Sequence, residues 1–222
     1  MLIYWISTGD SAGGNLATVI SMRLKRQKFT PMPKLQVLIY PWLQGLNFDL
    51  PSYRYNKNGP VVTLQNCVDF TGWYLVGNNK KYGIQIGRNE HVSPAFRESL
   101  KDIMDLNLLP EDKLTIRYRP RKYQDGKIWD TLKEKLTNPD LSPLLAKEED
   151  LKGLPPVVIS TCQYDVLRDE GFFYVERLKK AGVMVIHDHV KACYHGWTFS
   201  HEGSFKQDYS RLITQVKIIC SI

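Results

Sequence analysis

Apolar positions along this chain follow two rhythms, and the change between them sets the domain plan. Short continuous runs at residues 2–6, 35–40, 155–161 and 183–190 are rich in Val, Ile and aromatic side chains. Runs of this kind read as strands buried on both faces of a parallel sheet. Helical spacing follows the first run, where Leu16, Val19, Ile20 and Leu24 recur on one face and Arg23, Lys25 and Arg26 gather toward the C-terminal end. Those cations complement the helix macrodipole. A second helix is predicted over residues 167–181, with Lys179 and Lys180 in its last turn and Gly182 as its stop. A terminal helix is predicted over residues 203–219.

Between residues 45 and 150 the strand–helix alternation is lost, and Asn, Lys, Pro and Tyr become frequent. Helices are predicted near 64–76, 97–107 and 127–136. The chain therefore reads as one α/β domain over residues 1–222, a mostly parallel sheet flanked by helices, with a mainly helical cap or lid inserted at about 45–150. Trp42, Phe48, Phe70, Trp73 and Tyr74 are candidates to line a pocket under that lid or to form its own core.

Composition narrows the function classes. With 43% hydrophobic and 24% charged residues over 222 positions, the chain is an ordinary globular sequence, which excludes disorder. It contains no apolar run of membrane-spanning length, and residues 2–6 are too few for a signal-peptide core, so any anchor is expected outside it. The net charge of +7 arises from 30 basic residues interleaved with 23 acidic ones, a pattern that argues against a nucleic-acid partner. The densest basic cluster, Arg117, Arg119, Arg121 and Lys122, reads as a solvated loop or strand edge. Cys67, Cys162, Cys193 and Cys220 form no metal-binding spacing, and neither a metal nor a cofactor is expected.

One motif carries chemistry. Gly9-Asp10-Ser11-Ala12-Gly13 fits G-x-S-x-G at the junction between a predicted strand and a predicted helix. Such a turn holds a serine out at the top of a sheet. Gly9 and Gly13 are expected to let strand and helix pack closely, and the Ala12 N–H with the helix dipole is expected to face an oxyanion. A phosphate-binding loop is the rival, but Gly14-Asn15-Leu16 lacks the Lys-Ser or Lys-Thr it would need.

Serine is a weak nucleophile without a histidine base, and that base needs a carboxylate to orient it. Both should follow in the order serine, acid, histidine. Asp165 lies beyond the strand at 156–161 and His195-Gly196 beyond the strand at 183–190. Asp169 is the alternative acid, although its place within the helix suits a role at the N-terminal dipole. His187 and His189 alternate on one strand face as sheet packing, His201 reads as a surface residue, and His91 falls in the insertion.

The segments Gly9-Asp10-Ser11-Ala12-Gly13-Gly14-Asn15-Leu16-Ala17, Tyr40-Pro41, Asp140-Leu141-Ser142-Pro143-Leu144-Leu145-Ala146, Asp165-Val166-Leu167-Arg168-Asp169-Glu170-Gly171 and His195-Gly196-Trp197 resemble the hormone-sensitive-lipase group of α/β-hydrolases. The likeness is strongest to the arylacetamide deacetylase-like branch. It implies Ser11 as nucleophile, Asp165 as acid and His195 as base of a serine carboxylester hydrolase. Such an enzyme acts through an acyl-enzyme on small lipophilic esters or arylacetamides. The resemblance also implies a His-Gly-Gly oxyanion segment upstream, a cysteine beside it to pair with Cys162, and a location on the lumenal side of the endoplasmic reticulum membrane. Ten residues precede Ser11, so the chain is expected to match only the C-terminal half of such an enzyme and to be weak or inactive alone. A non-catalytic binding protein on the same scaffold is the alternative.

Overall fold

A computed structural model describes residues 5–77, 80–110, 118, 128–199 and 205–220. Four parallel strands, β1 (Ile6–Asp10), β2 (Leu35–Ile39), β3 (Val157–Tyr164) and β4 (Val185–Tyr194), lie side by side in chain order. Helix α1 (Ala12–Arg26) joins β1 to β2, and α8 (Arg168–Lys180) joins β3 to β4. The two ladders leading to β3 pair Ile6 with Leu35 and Val37 with Val158.

Period-two alternation sends each strand's side chains to two different cores. Leu38, Val157 and Ile159 face Ala17, Val19 and Met22 of α1 and Phe173, Val175 and Leu178 of α8. Leu35, Val37 and Val158 face the opposite way, onto Leu212 and Ile219 of the last helix, α9 (Phe205–Cys220). The sheet is thus covered on both faces, as buried parallel strands require.

Of the apolar run at 2–6, residues 2–4 are outside the described residues; among the described ones the first strand extends past the end of that run, its ladder pairing Ile6–Asp10 with Leu35–Ile39. Pairing with Leu35–Ile39 decides this, and a buried hydroxyl there is satisfied locally, Ser7 Oγ donating to the Ala17 carbonyl at 3.2 Å. At the far edge, β4 continues to Tyr194 past the expected end at 190, across a register irregularity between Cys162 and Tyr164.

Residues 45–150 hold α2 (Pro51–Tyr55), α3 (Leu64–Val76), α4 (Lys80–Gly87), α5 (Pro94–Ser99), α6 (Trp129–Leu136) and α7 (Glu148–Leu151). Helix α3 matches its expected span because Thr63 and Asn66 form a reciprocal capping box at its start and Gly77, at φ 64°, closes its end. The single helix expected at 97–107 is instead α5 followed by a short 3₁₀ turn, Leu106–Leu108. Ser93 caps α5 early with Pro94 at its first position, and Asp105 caps the turn. The described residues of the insertion share the core of the sheet: Phe48, Tyr53, Val68, Leu75 and Ile86 belong to the same buried cluster as Leu38 and Ile159. The basic cluster Arg117, Arg119, Arg121 and Lys122 lies outside the described residues, as does His201. Among the described residues, no helix is long and apolar enough to cross a membrane.

Candidate active site

Three loops leave the C-terminal ends of parallel strands, and each delivers one polar side chain. Ser11 directly follows the last residue of β1, Asp165 that of β3, and His195 that of β4. Such strand ends are where open α/β sheets gather their binding groups.

The turn at Ser11 is strained. Its backbone sits at φ 52°, ψ −122°, a conformation L-residues rarely adopt and one that costs of order 1–3 kcal/mol. The surroundings enforce it. Ser11 N–H extends the β1–β2 ladder to the Ile39 carbonyl at 2.9 Å, while its own carbonyl accepts from Trp42 N–H at 3.0 Å. A Cβ on Gly9 would stand 2.1 Å from the Gly13 carbonyl oxygen, and one on Gly14 would stand 2.7 Å from Pro41 Cβ. Gly13 itself has room, its nearest neighbour being Asp10 Oδ1 at 3.9 Å. The close approach expected of Gly9 and Gly13 is therefore made by Gly9 and Gly14, because the helix turns its second glycine, not its first, toward the loop after β2. The adjacent pair Gly13-Gly14 was the signal for this.

The three side chains form one hydrogen-bonded line. His195 Nε2 lies 2.9 Å from Ser11 Oγ, and His195 Nδ1 lies 2.8 Å from Asp165 Oδ2. Asp165 is fully buried, and its other oxygen accepts from Leu167 N–H at 2.9 Å. A carboxylate only accepts, so the His195 hydrogen sits on Nδ1 and Nε2 is left as an acceptor facing the Ser11 hydroxyl. Tyr40 packs its ring 4.5 Å from the imidazole, and its hydroxyl bonds Thr198. Gly196, at φ 85°, turns the chain behind the histidine. Ala12 and Gly13 begin α1, so their N–H groups have no partner within the helix and stand beside Ser11 at its positive end.

The alternative acid is engaged elsewhere. Asp169 is buried, with Oδ2 accepting from Ser52 N–H at 2.7 Å and Oδ1 from Arg168 Nε at 2.8 Å. Burial raises its carboxyl above the usual range, while Arg168 pulls it back. His91 is buried against the Gly45 carbonyl at 3.0 Å, and burial lowers its imidazole to about 3. His187 and His189 share the hydroxyl of Thr161 on the sheet edge. Cys162 is a buried free thiol beside Tyr40, Cys193 and Trp197, raised by burial.

A cavity of about 310 Å³ opens beside Ala12, the residue after Ser11, and is lined by Ala12, Leu16, Trp42, Phe70, Tyr74 and Leu141 among others; Ser11 and His195 do not line it. Of the five candidate aromatics, Trp42, Phe70 and Tyr74 thus reach it. Phe48 does not; it is buried between Tyr53 and His91. Trp73 packs on the Phe70 ring at 5.5 Å and is otherwise exposed. Among the described residues, no group of three or more His, Cys, Asp or Glu side chains is placed to hold a metal ion.

Comparison with known proteins gives this geometry a context. A family model described as the alpha/beta hydrolase fold matches residues 6–110 and 111–199. Arylacetamide deacetylase from Bos taurus is 38% identical over 200 residues, which cover 85% of this chain and 47% of that protein. Neutral cholesterol ester hydrolase 1 from Rattus norvegicus is 36% identical over 198 residues, with the same two shares of 85% and 47%. The chain spans about half the length of the relatives it matches. A fungal esterase structure from Rhizomucor miehei superposes with a TM-score of 0.63 over 97% of this chain and 50% of its own, at 24% identity, a likeness of fold.

Proposed function

This chain belongs to the α/β-hydrolase fold family, and from that membership we propose that it carries the site of a serine carboxylester hydrolase with Ser11, His195 and Asp165 as its triad. The observation that carries the reading is the continuous line from Ser11 Oγ through His195 to Asp165, at 2.9 and 2.8 Å, built on a strained serine at a strand end.

In this mechanism Ser11 Oγ bonds the substrate carbonyl carbon as its proton passes to His195 Nε2. The Ala12 N–H and the α1 dipole stabilise the oxyanion that forms. Collapse of the tetrahedral adduct breaks the bond to the alcohol or amine, which leaves with the proton from Nε2, and an acyl-enzyme remains. Water then attacks the acyl carbon with His195 as base, releasing the acid and restoring Ser11. Asp165 holds the ring and stabilises its cation throughout.

The apolar cavity beside Ala12 supports a small lipophilic acyl group as the ligand, bounded by Trp42, Phe70 and Tyr74. The names of the relatives, a deacetylase of arylacetamides and a hydrolase of cholesterol esters, support the same class of ester or amide. A lumenal location at the endoplasmic reticulum membrane belongs to the proposal on family resemblance alone. The test is covalent labelling with an alkyl fluorophosphonate, read by peptide mass spectrometry. Modification at Ser11, lost in Ser11→Ala and strongly slowed in His195→Ala, is expected; an unmodified Ser11 would sink the reading.

A further inference from the structure

The turn after β2, residues 40–45, borders the nucleophile, the base and the cavity, yet it is neither strand nor helix. Tyr40 packs its ring, tilted, against His195, the Trp42 backbone N–H bonds the Ser11 carbonyl, and the Trp42 carbonyl accepts from Asn15 Nδ2 at 2.9 Å. Trp42 and Gly45 also form part of the cavity wall. Tyr40 N–H still reaches the Ser160 carbonyl of β3 at 2.7 Å, but beyond it the turn has left the ladder and its buried N–H groups need other partners. The Leu43 N–H is met by a side chain: Glu170 Oε2 accepts it at 2.6 Å.

Glu170 is fully buried in the first turn of α8, five positions beyond Asp165. Its second oxygen accepts from the Tyr53 hydroxyl of α2 at 2.8 Å. One carboxyl group therefore spans the acid-bearing segment, the turn behind the nucleophile and the inserted helices. We propose that Glu170 is a positioning residue of this site, holding residues 40–45 so that Trp42 keeps the Ser11 turn and the cavity wall in register. The proposal rests on the reading of Ser11 as nucleophile only for its catalytic consequence.

The ionisable groups around it are Asp165 from the β3–α8 loop, Tyr53 from α2 and Cys67 from α3, together with Asp169 and Arg168, which bond each other on its own helix. Burial raises the Glu170 carboxyl to about 8, the Leu43 N–H and the Tyr53 hydroxyl pull it back, and Asp165 pushes it up. Two substitutions separate its hydrogen bonds from its bulk. Glu170→Gln keeps a carbonyl oxygen for the Leu43 N–H and turns an amide N–H toward the Tyr53 oxygen, whereas Glu170→Ala leaves the Leu43 N–H orphaned.

The experiment measures amide hydrogen exchange and fluorophosphonate labelling of the full chain in the wild type and both variants. Glu170→Gln is expected to keep wild-type protection at residues 40–45 and to label within about threefold. In Glu170→Ala, protection is expected to fall at 40–45 while β3 and α8 stay protected. A long-chain probe should then label about tenfold more slowly relative to a short one, because displacement of a positioning group by ~1 Å costs on the order of a hundredfold. Glu170→Leu, which fills the space without an acceptor, replaces Glu170→Ala if that variant is too unstable to measure. Unchanged protection at 40–45 in the folded Ala or Leu variant overturns the proposal, and so does loss of the whole fold in both. Failure of the wild-type Ser11 to label defeats the functional reading instead, and exchange alone then decides the role of Glu170.

Discussion

Two histidine–hydroxyl clusters draw their rings from β4 or the residue just beyond it, and only one of them resembles a catalytic device. His195 Nε2 stands 2.9 Å from Ser11 Oγ, and His189 Nδ1 stands 2.9 Å from Thr161 Oγ1, with His187 Nε2 at 2.9 Å on the same oxygen. The distances are equal, so distance does not separate the two. What differs is the group behind each ring and the backbone beneath each hydroxyl. Asp165 backs His195 with a carboxylate, whereas the Gln163 amide oxygen backs His189 at 3.0 Å. A neutral amide cannot stabilise an imidazolium as a carboxylate does. Ser11 occupies a strained turn next to a cavity, while Thr161 is buried in mid-strand opposite His189. Phe172 packs edge-on against both His187 and His189, closing the second cluster as sheet packing.

Substitutions in both clusters test that contrast. Ser11→Ala has the largest expected effect: labelling at this position disappears and any ester hydrolysis by the chain falls to background. Next, Asp165→Asn keeps the fold and lowers the rate by roughly 10⁴-fold, because the amide favours the wrong tautomer of His195; a small effect, with a large one from Asp169→Asn, would reassign the acid. Thr161→Val is expected to leave labelling within about threefold and to cost about 1–3 kcal/mol in urea unfolding, since it removes the hydroxyl that two partly buried ring nitrogens share. If it abolished labelling as Ser11→Ala does, the contrast between the clusters would fail.

The smallest effect concerns acid stability. Burial lowers His187 to about 4 from 6.5, so between those values the unfolded chain binds a proton that the folded chain does not. Stability from this group is present above pH 6.5 and is lost as pH falls through 4. His187→Gln should flatten the melting-temperature profile over that window by the equivalent of about 1 kcal/mol after screening. A profile steepened by the substitution would show that the ring is not held neutral.

Much of this site is legible in the linear sequence. Ser11, Asp165 and His195 can be chosen because each lies just past a buried apolar run, and a parallel sheet brings such positions to one edge whatever their separation in the chain. Strand limits are less legible. The apolar segment at residues 2–6 draws the first strand toward the chain start, whereas among the described residues the ladder with Leu35–Ile39 runs over Ile6–Asp10. The choice of Gly14 over Gly13 and the role of Glu170 are illegible for a related reason. Each matters through a partner far away in sequence, Pro41 for the first and Leu43 and Tyr53 for the second.

By itself the sequence determined the parallel α/β architecture, the glycine-bounded turn at Ser11 and the chain order of serine, acid and histidine, because periodicity and local sterics act over a few residues. Tertiary structure alone decided which aspartate faces His195, which aromatics reach the cavity and which enter the core, and how the turn at 40–45 is held. Asp165 lies in the loop before α8 and Asp169 in the first turn of that helix, and only the path of the loop and the packing of the helix send one carboxylate to His195 and the other to Ser52 and Arg168. Phe48 and Phe70 are the same side chain in the same insertion, yet packing against His91 buries the first, while the second, on α3, is left on the cavity wall. Contacts between distant segments are paid for by the whole fold, and no local pattern encodes them.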